Sequence, residues 1–318
     1  MKPIIIMGPT ASGKTDLALK IAALTDGEII SADSRQIYTD LSAGTAKPEG
    51  SWRILNNEKV YISCGFPYHL VDFLDPKVSY DTGRFVKDTE KIFKKITGKG
   101  KTPVFAGGTG MYIQAFWNGI DPLPPADQSI RTKLSETASR IGRVGLHCRL
   151  QDVDPEAAQS IPPNNIQRVI RALEVHELTG TPISKLWTRR FHGTLPTHKA
   201  VFAVIEWNRA LLHERIKSRT NSIFEEWVSE TRQLLKKGYP EDCPALKSLG
   251  YPQIIDYICG RITKSAAIHE ITTLTNAYAK RQTTWFRQYK NAMHLAINSE
   301  KDWQPDLLCE RMLMDTLH

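Results

Sequence analysis

Long apolar runs are missing from this sequence of 318 residues. No stretch approaches the ~20 apolar residues that a helix needs to cross a bilayer, and the apolar run that follows the first residues is too short for a signal peptide. Cysteine is scarce as well: the five cysteines are scattered and form no CxxC pair, which argues against a disulfide framework and against a zinc site. We therefore expect a cytoplasmic protein with no membrane segment.

Acidic residues are outnumbered, with 34 Asp and Glu against 42 Lys and Arg, and the net charge is +8. A basic surplus favours an anionic partner, either nucleic acid or phosphates, without distinguishing the two. Hydrophobic residues make up 41% and charged residues 24%, an ordinary globular composition that can supply a core. The length favours about two domains. Internal repeats and low-complexity tracts are absent. We expect a monomer, although no residue pattern fixes the oligomeric state.

Short apolar runs bounded by glycine or charge predict strands, and apolar residues at helical spacing lie between them. The predicted strands cover residues 3–7, 27–32, 102–108 and 199–207, with a further one at 294–298. Helical spacing is clearest at 14–23 and 82–100. Because strands alternate with helices, the pattern predicts an α/β fold with a parallel sheet flanked by helices.

The residue pattern changes at the proline-rich segment DPLPPADQ, residues 121–128, where the chain is predicted to leave the sheet. Charged helical segments follow to about Trp187, and residues 189–199 mark the return. The predicted organisation is a core of residues 1–119 and 198–318 and a helical insertion domain of residues 120–197.

The segment GPTASGKT, residues 8–15, fits the phosphate-loop pattern G-x-x-x-x-G-K-[ST] between a strand and a helix. Such a loop directs backbone N–H groups and a helix N-terminus at phosphate oxygens. Lys14 adds a positive charge, and the Thr15 hydroxyl suits Mg²⁺. The predicted phosphate-binding residues are Gly8, Thr10, Ala11, Ser12, Gly13, Lys14 and Thr15, with Thr15 as the metal ligand.

A nucleotide hydrolase also needs an acid at a strand end to hold its metal. The third predicted strand ends in VFAGGTGMY without one, and HLVDFLD (69–75) with its two aspartates is equally compatible with a surface loop. Asp33, at the end of the second strand, is better placed. Because the carboxyl ends of parallel strands converge on one crevice, Asp33 and Thr109 should lie beside the phosphate loop. The alternative role for Asp33 is that of a helix N-cap.

Several short motifs follow one another along nearly the whole chain. They are GPTASGKT (8–15), SADSRQIY (31–38), GTAKP (44–48), SYDTGRF (79–85), GGTGMY (107–112), NNIQRVIRALEV (164–175), HERIKSR (213–219), LKSLGY (246–251) and AKRQTTWFR (279–287). In this order they resemble the tRNA dimethylallyltransferases, the bacterial tRNA isopentenyltransferases that modify adenosine 37 beside the anticodon. The resemblance implies a P-loop NTPase-like core. Two positions depart from the family pattern: Tyr68 replaces a histidine, and Pro252 stands where a basic residue is usual.

The resemblance also implies a reaction. The loop would hold the diphosphate of dimethylallyl diphosphate rather than a triphosphate, with Mg²⁺ as the cofactor, which explains the missing hydrolytic acid. Asp33 would act as the general base on N6 of adenosine 37, Arg219 would bind the diphosphate, and Thr109 would contact the reacting base. Without the resemblance, an ATP-dependent small-molecule kinase would be the first hypothesis. A non-catalytic RNA-binding protein that retains a relic phosphate loop is the other alternative.

Contacts with the tRNA anticodon stem-loop are expected at the family motifs. In 164–175 the polar positions Gln167, Arg171 and Glu174 share one helix face, which fits either a solvated surface or RNA contact. In 279–287 Lys280, Thr284 and Arg287 share one helix face, so the two aromatic residues fit the core better. The predicted tRNA-binding residues are Asp33, Ser34, Arg35, Gln36, Thr109, Arg131, Gln167, Arg168, Val169, Ile170, Arg171, Lys247, Gly250, Tyr251, Lys280, Arg281, Gln282, Trp285 and Arg287.

Overall fold

A computed structural model describes residues 1–55, 57–187 and 194–315. The chain divides into two compact units, one formed by Met1–Asn118 with Gly193–His318 and the other by Gly119–His192. These limits lie within a few residues of the domain ends that the proline-rich segment led us to expect. The beginning of the expected return segment, at 189–193, falls outside the described residues.

The first unit is built on an eight-stranded sheet with the strand order β3-β4-β5-β2-β6-β1-β7-β8. The strands are β1 Ile4–Met7, β2 Gly27–Ser31, β3 Ser51–Leu55, β4 Glu58–Ser63, β5 Phe66–His69, β6 Thr102–Gly107, β7 Val201–Trp207 and β8 Met293–Ile297. From β5 to β8 neighbouring strands run parallel, with Ile4 of β1 opposite both Val104 of β6 and Val201 of β7. Helices cover both faces of such a sheet, so its central strands are buried and mostly apolar. The predicted parallel α/β core is confirmed.

An antiparallel extension at one edge was not predicted. Strands β3, β4 and β5 pair antiparallel, and the outermost, β3, is mostly exposed. The turn between β4 and β5 consists of Cys64 and Gly65, with φ angles of 48° and 87°. Two positive φ angles define the tight hairpin turn that matches strand twist. The edge position leaves β3 without the continuous apolar run by which the central strands were recognised.

Eleven α-helices and one short 3-10 helix, Glu300–Asp302, are present in the described chain. The α-helices are α1 Lys14–Thr25, α2 Thr82–Gly98, α3 Gly110–Asn118, α4 Gln128–Val153, α5 Pro155–Ser160, α6 Ile166–Thr179, α7 Ile183–Leu186, α8 Arg209–Lys236, α9 Tyr251–Ile258, α10 Lys264–Phe286 and α11 Pro305–Met314. α2 begins after Asp81, whose side chain accepts a hydrogen bond from the Arg84 N–H at 2.8 Å and caps the helix. Pro252 lies in the first turn of α9, where the missing N–H of proline costs nothing. In the described residues no helix is long and apolar enough to cross a membrane.

The second unit contains α4 to α7. Glu174 of α6 is not on a solvated face: it is fully buried. Its carboxylate accepts hydrogen bonds from Arg131 at 3.0 Å, from Arg171 at 2.7 Å and from the Asp127 N–H at 2.6 Å. Burial alone would raise the pKa of Glu174, but these donors hold it below its ordinary value. The polar face expected from spacing is therefore a buried ionic network that joins α6 to the start of α4.

Glu174→Ala is expected to destabilise this unit by about 2–3 kcal/mol. Removing one partner of a buried ion pair costs about 3–5 kcal/mol, and the discount reflects that the Arg131 and Arg171 side chains are 38% and 24% exposed. Hydrogen exchange in peptides from α4 and α6 measures the loss of protection. Glu177→Ala, an exposed change on the same helix, is the control. Equal protection in both variants would contradict a supporting role for Glu174.

Candidate active site

A cavity of about 1190 Å³ opens where the central parallel strands end. Its wall combines the loop after β1, the turn after β2, the end of β6 and side chains from α8 and α10. From the predicted site it gathers Thr10, Ala11, Ser12, Gly13, Lys14, Thr15, Asp33, Ser34, Arg35, Gln36, Arg219, Lys247, Arg281 and Gln282. Residues far apart in sequence thus line one cavity at the strand ends, whereas Gly8 and Thr109 are not among its lining residues.

The phosphate loop has the backbone that its sequence pattern demands. Ala11 and Gly13 take φ angles of 61° and 84°, and α1 begins directly after Gly13. A Cβ atom at Gly13 would collide with the ring of Trp303, so glycine is required both for its φ angle and for this close approach.

Two side chains that sequence reasoning missed hold the backbone of the loop, and one of them, Arg215, also lines the cavity. Trp207 Nε1 donates to the Ser12 carbonyl and Arg215 Nε to the Ala11 carbonyl, each at 3.1 Å. The Arg215 guanidinium also lies 4.4 Å from the centre of the Trp207 ring, a cation–π contact. In a trans peptide the N–H points opposite to the C=O. Holding these two carbonyls therefore turns the following N–H groups the other way, as an anion site needs.

Lys14 and Arg219 bring positive charge to the loop. Lys14 Nζ donates to the Pro9 carbonyl at 2.6 Å, and Arg219 Nη2 donates to the Ala43 carbonyl at 3.4 Å. Burial lowers the pKa of Lys14 to about 8; Asp33 opposes this shift and Arg219 adds to it. Burial also lowers the pKa of Arg219, again against the influence of Asp33. Two desolvated cations beside one carboxylate favour a multiply charged anion.

The Lys14 shift predicts that anion binding depends on pH. With a pKa near 8, about one tenth of Lys14 is charged at pH 9, so the affinity for inorganic diphosphate should fall about tenfold between pH 7 and pH 9. Calorimetric titration across this range measures the effect. Lys14→Arg should flatten the profile, since a guanidinium stays charged, whereas Lys20→Arg on the same helix should preserve it. A flat wild-type profile would refute the assignment.

Asp33 caps a turn and is not the N-cap of a helix, so the alternative role considered for it is wrong. Its Oδ1 accepts from the backbone N–H groups of Arg35 and Gln36 at 2.8 and 3.3 Å. Oδ2 has no hydrogen-bond partner in the described chain. The Thr109 hydroxyl accepts from the Ser34 N–H at 3.1 Å, and the Thr109 N–H donates to the Ala32 carbonyl at 3.1 Å. These contacts fix Thr109 against the turn that carries Asp33.

Thr15 offers one hydroxyl oxygen to a magnesium ion that would be held mainly by its phosphate ligand. In the parts of the chain that the structure describes, no group of three or more His, Cys, Asp or Glu could hold a metal. Mg²⁺ in phosphate sites is usually held by one or two carboxylates in addition to phosphates and waters, and Asp33 is a carboxylate in the same cavity. Thr15 lines the cavity and its side chain is hydrogen-bonded to Tyr68. Burial raises the pKa of Tyr68 far above its ordinary value, so this phenol stays neutral.

The two acids of the segment after β5 do not take the place of a metal-binding acid. Asp72 forms an ion pair with Lys47 and accepts a hydrogen bond from Trp52 Nε1 at 2.9 Å. Asp75 is exposed and caps its own turn by accepting from the Lys77 N–H at 2.8 Å.

Exposed residues remain available among those predicted to bind tRNA. Arg35 and Lys247 lie at the cavity, and Arg35 Nη1 donates to the Pro244 carbonyl at 3.2 Å. Lys280 and Arg281 of α10 are exposed, and so is Arg287, which follows the last residue of this helix. In the second unit Gln167 and Arg168 are exposed.

Other residues of that set have side chains with a structural role. Val169 and Ile170 belong to the core of the second unit. The Gln36 amide donates to the Ala46 carbonyl at 2.9 Å, and the buried Tyr251 hydroxyl donates to Glu230 at 2.6 Å. The remaining members in this class are Arg131 and Arg171, held by Glu174; Gly250, packed against Trp227; the half-buried Trp285; and the buried Gln282. A motif marks such positions without telling whether they face a ligand or the interior.

Glu230 of α8 is a further residue that no motif indicated. Besides Tyr251, its carboxylate accepts from the backbone N–H groups of Ser42 and Ala43 at 2.5 and 2.9 Å. It thereby fixes the loop whose Ala43 carbonyl receives Arg219. Nothing in the local sequence marks this acid, because its partners are backbone groups distant along the chain.

Known proteins share these features over most of the chain. The IPP transferase family model matches residues 36–289, and an isopentenyl transferase model matches residues 1–65. A tRNA dimethylallyltransferase of Elusimicrobium minutum is 48% identical over 301 residues, which cover 94% of this chain and 96% of the relative. The enzyme of the same name from Carboxydothermus hydrogenoformans is 41% identical, with coverages of 90% and 89%.

Solved structures agree with this assignment. A full-length tRNA isopentenylpyrophosphate transferase from Bacillus halodurans is similar with a TM-score of 0.67 and 32% identity, covering 99% of this chain and 96% of that one. A eukaryotic dimethylallyltransferase that acts on tRNA has a TM-score of 0.76 at 22% identity, which shows a common fold; it covers 99% of this chain and 79% of its own. The family model and the relatives each match most of the chain. The chain therefore belongs to the IPP transferase family.

Proposed function

We propose that this protein transfers the dimethylallyl group of dimethylallyl diphosphate to N6 of adenosine 37 in the anticodon loop of tRNA. The main support for this proposal is that the phosphate loop, with Lys14 and Arg219, lies in one cavity with the Asp33 carboxylate. An anion site adjoining a potential base suits a transfer in which diphosphate leaves and an amine is deprotonated. The relatives named tRNA dimethylallyltransferase support the choice of substrates.

The leaving group is the part that the loop would stabilise. As the bond between C1 and the diphosphate oxygen breaks, negative charge accumulates on that oxygen. Lys14, Arg219 and the loop N–H groups are fixed around this anion before the reaction, and preorganised donors of this kind are worth more than flexible ones. Mg²⁺ held beside Thr15 would supply further charge neutralisation.

The acceptor amine needs a base because its lone pair is delocalised into the adenine ring. As the C1–N6 bond forms, the nitrogen becomes acidic and one N6 proton passes to Asp33. Oδ2 is the oxygen in position to take it, since Oδ1 is occupied by Arg35 and Gln36. The products are N6-(dimethylallyl)adenosine, diphosphate and one proton on the carboxyl group.

The tRNA would bind through its single-stranded loop and its phosphates. An adenine in an anticodon loop leaves its stack at little cost, which suits a reaction inside a cavity. Exposed cations on α10 and in the second unit would contact phosphates. We propose a monomeric enzyme of the cytoplasm in which the helical insertion contacts the anticodon stem-loop.

Incubation with unmodified tRNA, Mg²⁺ and dimethylallyl diphosphate tests the proposal, followed by digestion and mass analysis of the nucleosides. The expected result is a dimethylallyl increment on one adenosine. A parallel tube with ATP tests the kinase alternative, which the comparisons do not favour. No increment, with ATP consumed, would overturn the prenyl transfer and return the loop to nucleotide chemistry. Binding of tRNA that dimethylallyl diphosphate leaves unaffected, without product, would indicate a non-catalytic protein.

A further inference from the structure

Gln282 on α10 has its polar atoms turned inward. The side chain belongs to the residue that follows two exposed cations in sequence, yet only 6% of the residue is exposed. Its Oε1 accepts from the Thr10 N–H at 2.8 Å, and its Nε2 donates to the Gly108 carbonyl at 2.8 Å. One carboxamide therefore bridges two backbone segments that are distant in sequence.

The two bridged segments follow the neighbouring strands β1 and β6, in which Met7 lies opposite Gly107. Thr10 lies in the phosphate loop after β1. Gly108 follows the last residue of β6 and precedes Thr109, whose hydroxyl is bound to the Ser34 N–H next to Asp33. Gln282 thus connects the side that would hold the diphosphate with the side that would hold the acceptor base.

Only a carboxamide fits this bridge. Glutamine offers an acceptor and a donor at the end of one side chain, whereas glutamate lacks the donor and lysine lacks the acceptor. The approach is so close that a Cβ at Gly108 would collide with Gln282 Nε2. The bridge also occupies the N–H of Thr10, and it leaves the remaining loop N–H groups, Lys14 and Arg219 for the anion.

We propose that Gln282 is a positioning residue that sets the separation between the diphosphate loop and the acceptor side of the site, and that it does not itself contact the RNA. This rests on the proposed prenyl transfer. A shift of about 1 Å between reacting groups can cost about 10²-fold in rate. Removing the bridge takes no ligand-binding group away from the diphosphate loop or from the acceptor side. We therefore expect a lower rate of the transfer step and unchanged substrate affinities.

Gln282→Met keeps the volume and removes both hydrogen bonds, and Gln282→Glu keeps the acceptor for Thr10 but has no donor for Gly108. In both, the single-turnover rate constant with both substrates saturating should fall by about 10- to 100-fold. The dissociation constants for dimethylallyl diphosphate and for an unmodified anticodon stem-loop, measured separately, should change by less than about threefold. Gln233→Met, on an exposed position of α8, should change none of the three quantities.

A weaker affinity for the stem-loop with an unchanged rate constant at saturation would overturn the proposal and make Gln282 an RNA contact. An unchanged rate constant with unchanged affinities would overturn it as well. If the Gln282 variants fail to fold, Gly108→Ala decides the question, because its methyl group displaces the same carboxamide from the other side; it should show the same loss of rate at preserved affinities. A wild-type protein that makes no product refutes the proposed function, whereas an active wild type with normal variants refutes this inference alone.

Discussion

Asp33→Asn is expected to lower the single-turnover rate of prenyl transfer by about 10²–10⁴-fold, the range for loss of a general base. Asparagine keeps a side-chain oxygen that can accept from the N–H groups of Arg35 and Gln36 at the positions where Oδ1 now does. The turn is therefore preserved, and the missing property is the ability to take the N6 proton. The affinities for both substrates should stay close to wild type.

Asp75→Asn provides the matched control. Asp75 also caps a turn through its Oδ1, which accepts from the Lys77 N–H at 2.8 Å, but it lies outside the cavity wall. This variant should react at the wild-type rate. Rapid-quench measurement of modified tRNA under saturating conditions distinguishes the two variants. A rate for Asp33→Asn within about threefold of wild type would remove Asp33 from the role of base.

Arg219→Gln is expected to reduce transfer by about 10²–10³-fold, the loss that follows removal of one preorganised donor to a developing oxyanion. Glutamine can still donate a hydrogen bond, but it brings no charge to the diphosphate. Because that charge grows as the C1–O bond breaks, the effect should appear mainly in the rate constant. The affinity for inorganic diphosphate, which carries the full charge, should weaken as well.

Arg209→Gln, at an exposed position in the first turn of the same helix, is the control and should leave transfer unchanged. Both variants are compared by rapid quench and by competition with inorganic diphosphate. Equal behaviour of the two variants would mean that Arg219 serves the loop at Ala43 and not the leaving group.

The sequence predicted those parts of the fold in which residue type directly reflects burial or backbone conformation. Central strands such as 3–7 and 102–108 are buried on both faces and therefore mostly apolar. The phosphate loop was recognisable because its glycines satisfy local backbone requirements. Strand β3 lacks such a pattern, since an edge strand exposes most of its side chains and its pairing depends on a turn further along the chain.

The site was predictable in its location and less so in its individual contacts. Strand-end geometry predicted that Asp33 lies in one cavity with the phosphate loop. Thr109, predicted at the same place, contacts the turn that carries Asp33 but does not line the cavity. Glu230 and Gln282 were different, because a buried polar side chain that binds backbone groups has no pattern in sequence. Spacing also placed Glu174 on a polar face without revealing that arginines on two helices enclose it. Whether such a group is buried depends on its tertiary partners, and the periodicity of the sequence carries no information about those partners.

Trp303 packs against Gly13, so residues from near both ends of the printed sequence meet behind the phosphate loop. Strand β1, which leads into the loop, also pairs with β7 from the later part of the chain. Folding during synthesis proceeds from the N-terminal side, and contacts this distant in sequence form late. A ribosome-bound chain will therefore expose the glycine-rich segment long before that segment has its anion-binding shape. The contact between Gly13 and Trp303 therefore forms only after residue 303 has been synthesised.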